Sequence, residues 1–97
     1  MKFIQIIEYT TTKPDQVQAA LDEFLAATGG SRPNTRASVT KDRDRANTYL
    51  NIVEFPSYEV AMKNSESPEV KALAEKMMKL ADGPPTFRNL DVTFEEG

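Results

Sequence analysis

Ninety-seven residues hold one small domain and little more, and at that length a lone monomer buries only about 60–65 % of the surface its unfolded chain exposes. Fifteen Asp and Glu against twelve Lys and Arg give a net charge of −3, which disfavours nucleic-acid or anionic-membrane binding through a basic patch. The chain has neither Cys nor His, so disulfides, thiolate or imidazole metal sites, a haem-ligating histidine and Ser-His or Cys-His nucleophiles are excluded.

The first apolar run, Phe3 to Ile7, is interrupted by Gln5 and closed by Glu8. It is too short for a secretory signal, and no later stretch approaches the ~20 apolar residues of a membrane span. A cytoplasmic domain is therefore expected. Residues 2–10 are rich in β-branched and aromatic side chains and predict a first strand. Thr12-Lys13-Pro14-Asp15 has the form of a capping box with proline in the first turn. Val17, Ala20, Leu21, Phe24 and Leu25 follow at helical spacing, so a helix is expected over about 13–28, stopped by Gly29-Gly30.

Ser31 to Asn34 reads as a polar connector, Thr35 to Lys41 as a weak strand, and residues 41–46 as a charged hairpin connection. Asn47 to Phe55 predicts a strong strand that Pro56 stops, after which Ser57 can cap a short helix through Asn64. Ser67-Pro68-Glu69 repeats the cap-then-proline start, and Val70, Leu73, Ala74, Met77 and Ala81 carry a helix on toward Gly83. Pro84-Pro85 forbids more helix, and Thr86 to Phe94 predicts a last strand. The order β-α-β-β-α-β, with the second helical stretch broken near Ser65, specifies an α+β fold of the ferredoxin-like plan. A four-stranded antiparallel sheet carries its helices on one face, in one domain spanning 1–97.

Alternation sorts each strand into two rows. Ile4 and Ile6, Leu50 and Ile52, and Leu90 with Val92 and Phe94 form an aliphatic row suited to lie under helices. Phe3, Gln5, Ile7 and Tyr9, Tyr49, Asn51, Val53 and Phe55, and Phe87, Asn89, Asp91 and Thr93 form a mixed row, expected on the helix-free face. Such an aromatic face exposed to water would be adhesive, so a homodimer paired sheet to sheet is expected, leaving an internal cavity where the rows do not interdigitate.

The segment Tyr49 to Glu69 runs from a strand that closes on an acidic and then an aromatic residue, Glu54-Phe55, through a helix centred on Ala61 to the Ser67-Pro68 step. With the element order, it resembles the antibiotic-biosynthesis-monooxygenase-like domains of the dimeric α+β barrel superfamily. Phe55 stands where many members carry Trp, and Asn64 falls where some carry His. The resemblance implies a cofactor-independent, monooxygenase-like enzyme acting on a small apolar or aromatic substrate in a cavity between the helices and sheet of each subunit. Without histidine, haem-degrading and His-dependent chemistries are set aside.

Such chemistry needs an apolar slot with donors aimed at a developing oxyanion. Asn51 and Tyr49 are the candidate catalytic donors, with Asp91 a carboxylate in the same row that desolvation could raise into base range. Gln5, Tyr9, Arg88 and Asn89 are candidate polar binding residues, with Phe55 and Phe87 as aromatic walls. No metal and no cofactor are expected, and the partners are a second copy and a small apolar ligand. Two other readings stand beside the enzyme: a non-catalytic ligand-binding or accessory protein of this fold, and an interaction module whose aromatic face only makes the dimer.

Overall fold

The computed structural model describes residues 1–28 and 35–96. Its strands are β1 (Phe3–Thr10), β2 (Arg36–Lys41), β3 (Thr48–Phe55) and β4 (Thr86–Asp91), and its helices are α1 (Pro14–Thr28), α2 (Tyr58–Ser65) and α3 (Pro68–Leu80). The strands form one antiparallel sheet in the order β2-β3-β1-β4, so the chain has the ferredoxin-like α+β fold. The two strands richest in β-branched and aromatic residues, β1 and β3, take the centre. The glycine stop at 29–30 and the connector at 31–34 lie outside the described residues.

Local side-chain chemistry sets the helix starts. The Ser57 and Ser67 hydroxyls accept the N–H of Val60 and Val70, each at 3.2 Å, and Pro68 occupies the first turn of α3. At α1 the structure departs from the expected capping box. Among the described residues the hydroxyl engaged there belongs to Thr11, not Thr12: it accepts the Lys13 N–H at 3.0 Å and donates to the Leu80 carbonyl at 2.7 Å. Thr11 is only 1 % exposed, so its hydroxyl must be satisfied internally, whereas Thr12 is exposed to water. The Thr11 N–H donates to the Asn47 carbonyl and the Asp82 N–H to that of Thr10. One buried junction thus ties the start of α1, the end of α3 and the β2–β3 hairpin.

The last strand stops at Asp91 rather than Phe94. Its register with β1 ends at Phe3–Asp91, because β1 has no further residues to pair. One more bond, from the Val92 N–H to the Lys2 carbonyl, continues the contact.

The rows are sorted as expected, but the faces are reversed. Phe3 and Phe55 are buried with Ala61 of α2, and Tyr58 stands edge-on to Phe3 with ring centroids 5.3 Å apart. The mixed row therefore lies under the helices, where its large rings fill the space between short helices and the sheet. The helix-free face carries the aliphatic row, half-buried at Ile4, Ile6, Leu50 and Ile52. Charges flank that row: Lys2 pairs with Glu54 and Glu95, and Glu8 with Arg45 and Arg88. These ions need solvent, which a helical layer would deny them. Among the described residues no helix is long and apolar enough to cross a membrane.

Candidate functional site

The apolar stripe of α3 points at the sheet, yet none of its residues is fully buried. The rings and amides of the mixed row hold the helix off and leave a cavity of about 460 Å³ between α3 and the strands β1, β3 and β4. That volume lies within the range of small-molecule sites, roughly 300–1,000 Å³. Ile7, Phe87, Val70, Leu73 and Met77 give it apolar walls, and Gln5, Tyr9, Asn51, Ser65 and Lys71 supply the polar groups.

Two of those groups form a pair across β1 and β3. The Tyr9 hydroxyl donates to Asn51 Oδ1 at 3.0 Å. Burial pushes the Tyr9 phenol up from its ordinary pKa, the neighbouring Tyr49 adds to this, and the Asn51 bond opposes it. Tyr9 therefore stays protonated at neutral pH and holds Asn51 in one orientation. With Oδ1 so occupied, the two amide hydrogens of Asn51 have no acceptor among the described residues. They form a donor pair on the sheet wall of the cavity, beside Ile7 and Phe87. Nearer β4, Gln5 Nε2 donates to Asn89 Oδ1 at 3.3 Å, joining two amides that face each other in the β1–β4 register.

Of the residues expected to form the site, Gln5, Tyr9, Asn51 and Phe87 meet in this cavity. Tyr49 stacks on Tyr9 with centroids 5.9 Å apart, and lines a smaller cavity of about 260 Å³ under α1. Asn89 reaches the site only through Gln5. Three residues lie elsewhere. Phe55 is core beneath α2. Asp91 belongs to the mixed row but is exposed at the end of β4 and does not line the cavity. Arg88 faces the helix-free side, bonded to Glu8 at 3.3 Å, because its register partner is Ile6 of the aliphatic row.

Sequence reasoning missed the α3 contribution, Lys71 above all. Spacing alone puts Lys71, Ala74 and Met78 at i, i+3 and i+7 on one helix face, but it does not tell a cavity wall from a solvated flank. Among the described residues no group of three or more carboxylates is placed to hold a metal ion.

Fold and cavity together define a ferredoxin-like α+β domain with a partly open, largely apolar pocket lined by this one chain. No sequence-family model matches the chain, and no curated protein matches it. Solved structures do. A candidate antibiotic biosynthesis monooxygenase from Caulobacter crescentus superimposes with a TM-score of 0.84 at 14% identity, over 96% of this chain and 91% of that one. A second such candidate, from Nitrosomonas europaea, gives 0.81 at 10% identity, over 99% and 94%. SnoaB, a cofactor-independent oxygenase from Streptomyces nogalater, gives 0.79 at 16% identity, over 97% and 95%. The chain has the fold of the antibiotic-biosynthesis-monooxygenase-type domains over almost its whole length.

Proposed function

We propose that this protein is a cofactor-independent monooxygenase acting on a small apolar or aromatic substrate in the cavity under α3, and that it works as a homodimer paired through its helix-free face. The observation that carries the reading is the Asn51 amide, fixed by Tyr9 and presenting its N–H groups to an apolar cavity. The likeness of fold to an oxygenase that needs no cofactor supports it.

In this chemistry the substrate supplies the electrons. An ionised phenol delocalises its charge onto the carbon that meets dioxygen. Dioxygen adds at that ring carbon, which carries one hydrogen. The O–O bond then breaks as the C–H proton departs, leaving a ring carbonyl that retains one oxygen atom. The other oxygen leaves as water with that hydrogen and the proton the phenol lost on ionisation. Dioxygen is the oxidant and the substrate the reductant, so atoms and electrons balance. Asn51 donates to the phenolate oxygen as a catalytic residue, and Tyr9 acts through Asn51 as a positioning residue. Phe87 offers an aromatic face to the substrate ring, and Val70, Leu73 and Met77 of α3 pack against it from the other wall.

The test is oxygen uptake with polycyclic phenols, followed by identification of the carbonyl product. Asn51→Ala is expected to lower turnover about a hundredfold, as loss of one oxyanion donor does. It should lower stability by only about 1 kcal/mol, through the Tyr9 hydroxyl left unpartnered. Equal losses of turnover and stability would reduce Asn51 to a structural role. A second reading, a non-catalytic binding protein, draws on a cavity lining whose described residues include no carboxylate. Phenols that raise the melting temperature without oxygen uptake would favour it over the enzyme.

A further inference from the structure

We infer that Lys71 makes the cavity selective for hydrophobic monoanions, ligands that enter already ionised. The inference rests on reading this cavity as the ligand site. Among the described residues Lys71 is the one charged member of the lining. It forms no ion pair among them, whereas Lys76 on the same helix is held by Glu23 at 2.7 Å. Its exposure places it at the rim, on the helical wall facing the sheet wall that carries Asn51.

The chemistry of the other lining residues matches. Gln5, Tyr9, Asn51 and Ser65 are neutral hydrogen-bonding groups and the remainder are apolar, so no described side chain there is suited to take a proton from a neutral phenol at pH 7. A donor-rich cavity without a base favours a ligand that brings its negative charge with it. The attraction must be local, because the chain as a whole carries −3 and repels anions at long range. A neutral apolar molecule gains nothing from an unpaired ammonium at the rim. A monoanion gains a charge-assisted hydrogen bond from Lys71, while Asn51 on the opposite wall stays available to a second oxygen.

The test compares naphthoate with naphthylmethanol, an anion and a neutral molecule of nearly the same shape, by calorimetric titration of the full chain at neutral pH and low salt. Naphthoate is expected to bind about five- to tenfold more tightly, the scale of one charge-assisted contact at a rim. Lys71→Met keeps the stem and removes the charge. It should bring that ratio to about one while leaving the naphthylmethanol affinity within about twofold. Lys71→Arg should retain most of the preference, and added salt should shrink it in the wild-type protein. Ala74→Phe, which fills the cavity from α3, should weaken both probes together, and unchanged binding of both would place them elsewhere and overturn the inference.

A wild-type ratio near one overturns anion selectivity while leaving the cavity a ligand site. A preference that survives Lys71→Met assigns it to another group and overturns the role of Lys71. If neither probe binds, the reading of the cavity as a ligand site fails together with the inference.

Discussion

Ile7 and Glu8 are adjacent on β1, and their partners across the sheet are Asn51 and Leu50. One step along the strand separates the cavity from the ionic surface on the other side. Glu8 is held by Arg45 at 3.2 Å and Arg88 at 3.3 Å, and those two hydrogen bonds, Arg45 first, keep its carboxyl below its ordinary pKa against partial desolvation. Glu54 is lowered in the same way by Lys2, and Asp42 by the Asp44 N–H and then Arg45. A carboxylate whose folded pKa lies below its unfolded value stabilises the fold above the unfolded value, and this contribution disappears as pH falls through the folded one. Thermal stability should therefore be level near neutrality and decline once pH drops below the ordinary glutamate value of 4.5. Glu8→Gln is expected to lower the melting temperature slightly at pH 7 and to make the acid decline shallower. An acid limb as steep as that of the wild type would mean that Glu8 does not contribute to it.

At the scale of elements, what can be read in the sequence is what neighbours along the chain decide. Ser57 and Ser67 cap through N–H groups three residues on, and Pro68 adds its own signal, so both helix starts are legible. Ser67→Ala should destabilise the protein by about 1 kcal/mol in urea unfolding. Ser67→Asp should restore most of it, since a carboxylate can accept the same N–H beside the positive end of the helix. Loss on Ser67→Ala without recovery on Ser67→Asp would trace the effect to packing rather than the cap. Features fixed by distant partners are not legible. Thr11 outcompetes Thr12 because the Leu80 carbonyl, far along the chain, comes to meet its hydroxyl. The end of β4 is set by where β1 begins. Alternation shows which side chains share a face, but a period of two carries no sign. Phe3 and Ile4 are both apolar enough for either side, and the outcome is decided by rings that need covering and by ions that need water. For the site, Gln5, Tyr9, Asn51 and Phe87 are legible as one row of the sheet. Lys71 is not, because a lysine beside a helical stripe looks like any solvated flank until the helix is seen to bridge a cavity.

For the whole molecule, the reversal of faces changes what the proposed pairing involves. The surface offered to a second copy is not an aromatic layer but an aliphatic strip, Ile4, Ile6, Leu50, Ile52 and Leu90, bordered by the Lys2–Glu54 and Glu8–Arg88 ion pairs. An apolar centre with a charged rim is the usual anatomy of an interface. In a two-fold arrangement each central side chain meets its own copy or a near neighbour. Ile52 lies opposite Ile6 at the middle of the sheet, so Ile52→Glu sets like charges against one another in an apolar setting. Sedimentation at micromolar concentration is expected to give a dimer for the wild type and a monomer for Ile52→Glu, with unchanged helix and strand signals in circular dichroism. A wild-type monomer under those conditions would remove the pairing. It would not remove the cavity, whose lining comes from one chain and opens on the other face of the sheet. The Ile52→Glu monomer should therefore still bind naphthoate with nearly wild-type affinity, and a loss of binding that tracks the loss of the dimer would mean that the second copy holds α3 in place over the site.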